Sequence, residues 1–500
     1  MKNVFFIILT LLSLNIYSQV KGDFIDIAID QELTEVQPMT GIVFWQGSYT
    51  NTDAISLEFS YMLFNDIVSE SGIYDWTKVE DKLTDIASRN HQAVFRFRYT
   101  YVGKLTSVPD YIKALPDYHE TEGISEGQTT WFPDWTNEEL KQFSLEFYTK
   151  FAEKYDNDPR LAFVQVGFGL WAEYHIYDGP FELGVTFPSK EFQMTFFDHL
   201  NSVWHNKYWS ISIDAADDKY SPIAEHPEMM DIPFGLFDDS FMAEEHEQVN
   251  ELNWNFFNRD RYQTCPAGGE LNYYTDYDQE HVLDWPNGAH NESFESASAR
   301  FHITYMIGAD QPEYQTNERI KQASLATGYR FKVVSFKASA DSSIIEIMNE
   351  GNAPIYYDAY PTVNGVRANT SLKYLDHNEL RTFYIPSGGE SPELSIESDD
   401  ILDGQEIGFF GTLNSSTHQL EKKTLARIYP SLVRNHESIH IEAFQNHPLS
   451  IKIFDLNGKM FLSSSINNPA TISTRNLKPG MYLIQLKANS YLQTQKIIVQ

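Results

Sequence analysis

Leu161-Ala-Phe-Val-Gln-Val-Gly-Phe-Gly-Leu-Trp-Ala-Glu-Tyr-His175 is an apolar run that stops at Gly167 and Gly169 and then delivers Trp171, Glu173 and His175 together. Its apolar residues do not alternate cleanly with polar ones, the pattern of a strand covered on both faces, as in a parallel sheet. The two glycines mark a close approach of backbone. Such a stretch has two readings. It is an ordinary core strand with Glu173 solvated past its end, or a strand whose carboxy end carries a catalytic carboxylate.

The same rhythm extends to both sides. Residues 41–45, 55–61, 93–99, 209–214, 232–239, 261–270 and 302–308 are further strand candidates, which brings the total to eight. Helix signals separate them. Thr77-Lys-Val-Glu80 and Thr136-Asn-Glu-Glu139 read as capping boxes, followed by the stripes Val79, Leu83, Ile86 and Leu140, Phe143, Phe147, Phe151. Eight strands alternating with helices predict an α/β fold, a (β/α)₈ TIM barrel over residues 19–328. A doubly wound open sheet would call for a Gly-rich phosphate loop after an early strand, and the sequence has none there.

Near Gly328 the pattern changes to short alternating runs separated by Asn, Gly, Pro and Asp turns, the signature of a β-sandwich over residues 329–413. The polar residues 414–424 read as a linker, and residues 425–500 as a small C-terminal all-β domain in which Asn457-Gly458 marks a hairpin turn. At the other end, Lys2 precedes an apolar run and Ser18 offers a small residue for cleavage, so residues 1–18 read as a secretory signal peptide. No other stretch is long and apolar enough to span a bilayer.

The net charge of −33 argues against a nucleic-acid partner, which requires clustered Lys and Arg. The charge is uneven: from Glu421 to Gln500 there are ten Lys and Arg against four Asp and Glu, which sets the tail apart. The single cysteine, Cys265, excludes an intramolecular disulfide and reads as a small buried apolar residue.

In a parallel barrel the active site lies where the strands end, so polar groups at those ends belong together. They include Trp45, Glu58, Arg96, Arg98, Trp171, Glu173, His175, Asp214, Asp238, Asp239, Glu270 and Tyr305. Glu173 and Glu270 end the fourth and seventh candidates, both after glycines, and glycoside hydrolysis needs two carboxyls flanking the sugar. His175 and the Asp pairs lack metal-ligand spacing, so hydrogen bonding is the better role for His175, and neither metal nor cofactor is expected. Arg96 and Arg98 face the same way; pairing with carboxylates inside the barrel is favoured over clamping a sugar carboxylate or sulfate. Trp131 and Trp135 lie on a long loop, residues 103–135, expected to overhang the mouth and form part of the cleft.

Gly72-Ile-Tyr-Asp-Trp76 with the helix after it, and Ala93-Val-Phe-Arg96, resemble the early barrel units of β-galactosidase-like (clan A) glycoside hydrolases. Gly169-Leu-Trp-Ala-Glu-Tyr-His175 together with Pro266-Ala-Gly-Gly-Glu270 resembles a family of secreted barrel-plus-sandwich proteins allied to them. The resemblance implies an acid/base at Glu173 and a nucleophile at Glu270. That clan has Asn immediately before the acid/base, where this chain has Ala172. Residues 451–459, 477–484 and 494–500 resemble the type A sorting domain of type IX secretion, which implies export across the outer membrane with the secretion machinery as partner, to the cell surface or beyond. The expected function is therefore a retaining hydrolase of a poly- or oligosaccharide. A non-catalytic carbohydrate-binding protein is the alternative, and a polysaccharide lyase using Tyr305 or His175 a third reading.

Overall fold

The computed structural model describes residues 24–411 apart from 245–247 and 273, and residues 426–500 apart from 435–436, 444–448, 456–458, 467–468, 476 and 489–490. The signal-peptide, linker and Asn457-Gly458 turn readings lie outside the described residues. The chain divides into two compact units, residues 1–413 and 414–500.

Eight parallel strands close into a barrel: β1 (Gly41–Trp45), β2 (Leu57–Leu63), β3 (Gln92–Arg98), β4 (Leu161–Gln165), β5 (Tyr208–Ser212), β6 (Gly235–Phe241), β7 (Ala267–Leu271) and β8 (Tyr305–Ile307). Closure comes from β8 pairing with β1, Tyr305 opposite Gly41 and Ile307 opposite Val43. All five residues of β4 are buried, which is why the run at Leu161 shows no alternation.

Helices α1 (Thr77–Ala87), α2 (Glu138–Tyr155), α3 (Lys190–Val203), α4 (Asn250–Phe256), α5 (Phe294–Phe301) and α6 (Asn317–Leu325) connect the strands. The buried stripe of α2 contains Leu140, Phe143, Phe147 and Phe151 as the periodicity predicts. The two capping oxygens sit one and two residues away from the predicted threonines. Asn137 rather than Thr136 accepts the Leu140 N–H at 3.0 Å, and Asp75 accepts the N–H of Thr77, which is already helical. Asp and Asn are preferred over threonine as N-terminal helix caps.

The sandwich has one sheet with β9 (Phe331–Ala338), β10 (Ser343–Asn349) and β13 (Leu380–Ile385), and a second with β11 (Tyr360–Val363), β12 (Val366–Arg367) and β14 (Leu394–Glu397). Ile25–Asp26 pairs antiparallel with β9, and Gln31 bridges to Gly411. The N-terminal residues assigned to the barrel from sequence therefore run along the sandwich. One apolar cluster joins the lower barrel (Val43, Leu57, Val94, Phe163) to the sandwich (Phe331, Ile345, Phe383), so the sandwich covers the amino end of the barrel. Only the carboxy end of the barrel is left as a mouth.

Residues 426–500 form a separate all-β unit around its own core, which includes Ile439, Ile451, Ile484 and Ile497. With its own core and an opposite charge balance, it should fold independently. Deleting Lys422 to Gln500 is expected to leave the thermal transition of the first unit unchanged while blocking export. Melting curves and cell fractionation check this; collapse of the transition counts against it.

Candidate active site

Beyond β4 the chain turns back on itself. Gly169 N–H donates to the Glu173 carbonyl at 2.8 Å, and Leu170 N–H to the His175 carbonyl at 2.9 Å. A side chain at Gly169 would put its Cβ 1.9 Å from the His175 carbonyl oxygen, so only glycine permits this fold-back. Trp171 and Ala172 both adopt positive φ, 57° and 58°. Two consecutive left-handed non-glycine residues are strained by about 1 kcal/mol each, and such strain collects where a functional side chain must be aimed. It aims Glu173 inward: the residue is 2% exposed, on the axis side of the mouth.

Arg96, near the end of β3, is the hub. Its side chain is fully buried. Nε donates to Gln165 Oε1 at 2.7 Å, and Nη1 reaches Tyr61 Oη, the Trp171 carbonyl and Glu173 Oε1, each at 3.3 Å. The guanidinium also lies over the rings of Phe237, Phe59 and Tyr61. Burial opposes its charge, but Tyr61, Glu173 and Glu270 outweigh burial and keep it protonated.

On the other side of Glu173, His175 Nε2 lies 3.3 Å from Oε2, and His175 Nδ1 lies 2.8 Å from Asp214 Oδ2. Ser212 Oγ donates to the same Asp214 oxygen. Burial lowers the His175 pKa, yet Asp214 and Glu173 together hold it well above the usual imidazole value; the same pairing overcomes burial to lower that of Asp214. Asp239, on β6, is hydrogen-bonded to Glu173. Burial first, then the Glu173 and Asp214 charges, push its carboxyl well above the usual range. Glu270 stands at the end of β7 opposite Ile307. Burial pushes its carboxyl up to about 8; Arg96 opposes this, and Glu173 and Asp310 add to it.

Beside these groups is a cavity of about 390 Å³, lined among others by Trp45, Tyr49, Tyr61, Tyr101, Trp171 and Glu270. Asp310 and Glu313 also line it, and Lys and Arg do not. Its volume falls within the range of small-ligand pockets, about 300–1,000 Å³.

Trp45, Arg96, Trp171, Glu173, His175, Asp214 and Glu270 thus converge on the mouth. Arg98 lies next to them, its guanidinium 4.5 Å above the Tyr101 ring. Three other residues are corrected. Glu58 pairs with Ala93 while Tyr61 pairs with Arg96, so Glu58 lies three residues, roughly 10 Å, below the site. There its buried carboxylate accepts Arg89 Nε and Nη2 at 2.7 and 2.8 Å, with His91 Nδ1 at 2.9 Å. Asp238 faces outward, accepting Asn250 Nδ2 at 2.6 Å and Trp254 Nε1 at 2.8 Å from α4, because Phe237 and Asp239 take the inward positions on either side of it. Tyr305 begins β8 instead of ending it. It stacks on Phe163 and accepts Gln165 Nε2 at 3.0 Å, fully buried one layer below the mouth. Burial pushes its phenol up to about 12, so it is sealed off and poorly suited as a lyase base.

The long loop contains a hairpin, Thr121–Ser125 with Gln128–Phe132, whose tip meets the loop after β4: Glu126 N–H donates to Asp178, and Tyr177 links Glu126 to Trp171 Nε1. The loop therefore lies at the Glu173 end. Trp135 is a core residue, edge-on to Tyr99 and Phe168, and half-buried Trp131 lies on the hairpin and does not line the cavity. Sequence reasoning missed Tyr61, Tyr101 and Asp310. Tyr61 was the legible one, as the last residue of the second strand candidate.

Glu173, His175, Asp214 and Asp239 present potential metal-ligand atoms within 4.8 Å of one another. His175 Nδ1 pairs with Asp214, whereas His175 Nε2, 3.3 Å from Glu173, is buried without a hydrogen-bond partner.

Residues 427–500 match the family described as Secretion system C-terminal sorting domain. The tail is a type IX sorting domain. It marks the chain for export. Among curated proteins nothing matches. Similar solved structures include the galactosidase domain of an alpha-galactosidase-sucrose kinase (11% identity, 70% of this chain and 55% of that one, TM-score 0.35). The catalytic domain of a beta-amylase from Paenibacillus polymyxa matches at 9% identity over 58% of this chain and 98% of its own, TM-score 0.36. A gamma-CGTase from alkalophilic Bacillus clarkii matches at 7% identity over 94% and 84%, TM-score 0.31. The chain spans only 55% of the first of these. The barrel assignment rests on the strand pairing described above, not on these likenesses. Among the described residues no helix is long and apolar enough to cross a membrane.

Proposed function

We propose that the exported chain hydrolyses glycosidic bonds with Glu173 and Glu270 as its two catalytic carboxyls. The observation that carries this is their convergence, from β4 and β7, on one buried guanidinium beside an aromatic-lined cavity. A retaining pair is expected about 5–5.5 Å apart in the substrate complex, an inverting pair roughly 6.5–9.5 Å. Exposed and half-exposed rings such as Trp45, Tyr49 and Tyr101 offer apolar faces to the C–H faces of a sugar.

The substrate of this reading is uncharged. Asp310 and Glu313 line the cavity and Arg96 is engaged beneath it. A sugar carboxylate about 6 Å from one ionised carboxylate loses about 2–3 kcal/mol at an effective dielectric of 20, close to a hundredfold. Incubating the full chain with neutral, uronic-acid and sulfated oligosaccharides, with reducing ends measured, tests both statements. Cleavage of a neutral glycan is the expected outcome, with anionic ones at least about thirtyfold slower. Binding of glycans with no cleavage by the wild type would replace the hydrolase with a non-catalytic binding protein, the reading that Ala172 favours.

A further inference from the structure

His175 is fixed through one of its two nitrogens only. Nδ1 faces Asp214 Oδ2 at 2.8 Å, and Ser212 Oγ donates to the same oxygen. Nε2 is buried and makes no hydrogen bond, although Glu173 Oε2 lies 3.3 Å away. A buried polar atom in this state is costly and calls for a partner that the chain itself does not supply. A carboxylate on Nδ1, with Nε2 turned toward acidic oxygens, is the arrangement that holds a metal-ligating histidine: the carboxylate fixes the tautomer and makes the ring a better ligand.

The acidic oxygens come from three neighbouring strand ends. Glu173 and His175 follow β4, Asp214 follows β5 and Asp239 lies on β6, and each presents a ligand atom within 4.8 Å of the others. No spacing motif announces such a set, because closure of the sheet assembles it. Zinc holds imidazole nitrogen and carboxylate oxygen at about 2.0–2.2 Å, which sets two ligands of one ion about 3.0–3.5 Å apart. The 3.3 Å between His175 Nε2 and Glu173 Oε2 meets that spacing, and shifts of about 1 Å bring in Asp239. Arg96 reaches the other Glu173 oxygen, Oε1.

We propose that His175 Nε2, Glu173 and Asp239 bind one divalent ion of the zinc class, with Asp214 as the outer partner of His175, and that the bound ion switches off hydrolysis by withdrawing Glu173. The second half rests on the two-carboxylate reading above. The ion replaces the proton on Nε2, which passes to solvent, and water completes the coordination. A Glu173 carboxylate held by the ion is lost to the reaction. The described lining of the cavity includes Glu270 and Trp171 and none of the three ligands, so sugar still enters: kcat falls and KM holds. An imidazole ligand selects zinc and metals like it over calcium and magnesium, which take oxygen.

Titrating the metal-free full chain with Co²⁺, followed by visible absorption, decides the site. The expected result is a saturable band for one ion per chain, displaced by Zn²⁺ and not by Mg²⁺. Asp214→Asn should weaken binding about 10–100-fold, the loss that follows removal of an outer partner, and His175→Gln should abolish the band. Melting curves without metal establish that each variant is folded. Absence of the band in the wild type, or an unchanged band in folded His175→Gln, overturns the site. On the glycan that the panel identifies, saturating Zn²⁺ should lower kcat by about a hundredfold or more with KM little changed, and EDTA should restore it. Undiminished kcat with the ion bound overturns the inhibition. With no cleaved glycan the hydrolase reading and the inhibition fall together, while the Co²⁺ titration still decides the site.

Discussion

Arg96→Met is expected to lower kcat by about a thousandfold and to destabilise the first unit by about 3–5 kcal/mol. The methionine keeps much of the stem that packs against Phe59, Tyr61 and Phe237, but not the charge. Four acceptors then lose the guanidinium in a fully buried setting: Gln165 Oε1, Tyr61 Oη, Glu173 Oε1 and the Trp171 carbonyl, which keeps Tyr61 Oη as donor. Removing one partner of a buried ion pair costs more than the pair is worth, because the remaining charge has no water to turn to. Glu173 loses one of the two positive groups that hold it, which misplaces a carboxyl that the proposed reaction needs. Arg96→Lys, which restores the charge without the planar fork, should recover stability better than turnover. Melting curves and single-turnover rates measure the two effects. Full activity in Arg96→Met would mean that Arg96 is not the hub of the site.

Glu58→Ala is expected to be as destabilising, about 3–5 kcal/mol and roughly 5–10 °C in Tm, with kcat and KM unchanged wherever the protein remains folded. Its carboxylate is fully buried and receives both arms of Arg89 together with His91, three residues below the layer of the site. Truncation leaves His91 facing an apolar hole and Arg89 with Asp85 as its remaining carboxylate. Conservation at the amino face of a barrel reflects stability, whereas the carboxy face carries chemistry. A changed KM at a permissive temperature would return Glu58 to the substrate site.

The two residues lie on neighbouring strands, Arg96 facing the axis and Glu58 facing outward three residues lower, and depth and face are what the linear chain reveals least. The existence of the eight strands was legible, because parallel strands buried on both faces must be apolar throughout. The position of Glu173 was legible as well, since two glycines and a carboxylate at the end of such a run leave few local conformations. The independence of the tail followed from its charge and its Gly-punctuated alternation. Helix stripes were readable; their caps were off by one and two residues, since neighbouring Thr, Asn and Asp all offer an oxygen.

The assignments of Glu58, Asp238 and Tyr305 waited for the tertiary structure. A strand's side chains alternate with period two, so an error of one residue reverses which of Asp238 and Asp239 faces the axis. An error of two residues in where a strand begins leaves the face unchanged but moves a side chain from mouth to floor, as with Tyr305, and an error of three also reverses the face, as with Glu58, which turns outward to Arg89. Register is set by pairing with strands far away in sequence: Glu58 with Ala93, Tyr305 with Gly41, Arg96 with Gln165. Residue types and their order determined the barrel and named the two carboxyls. Which groups surround those carboxyls, and hence what each can do with a proton, was decided only when closure of the sheet brought Arg96, His175, Asp214 and Asp239 from four different strand ends to one point.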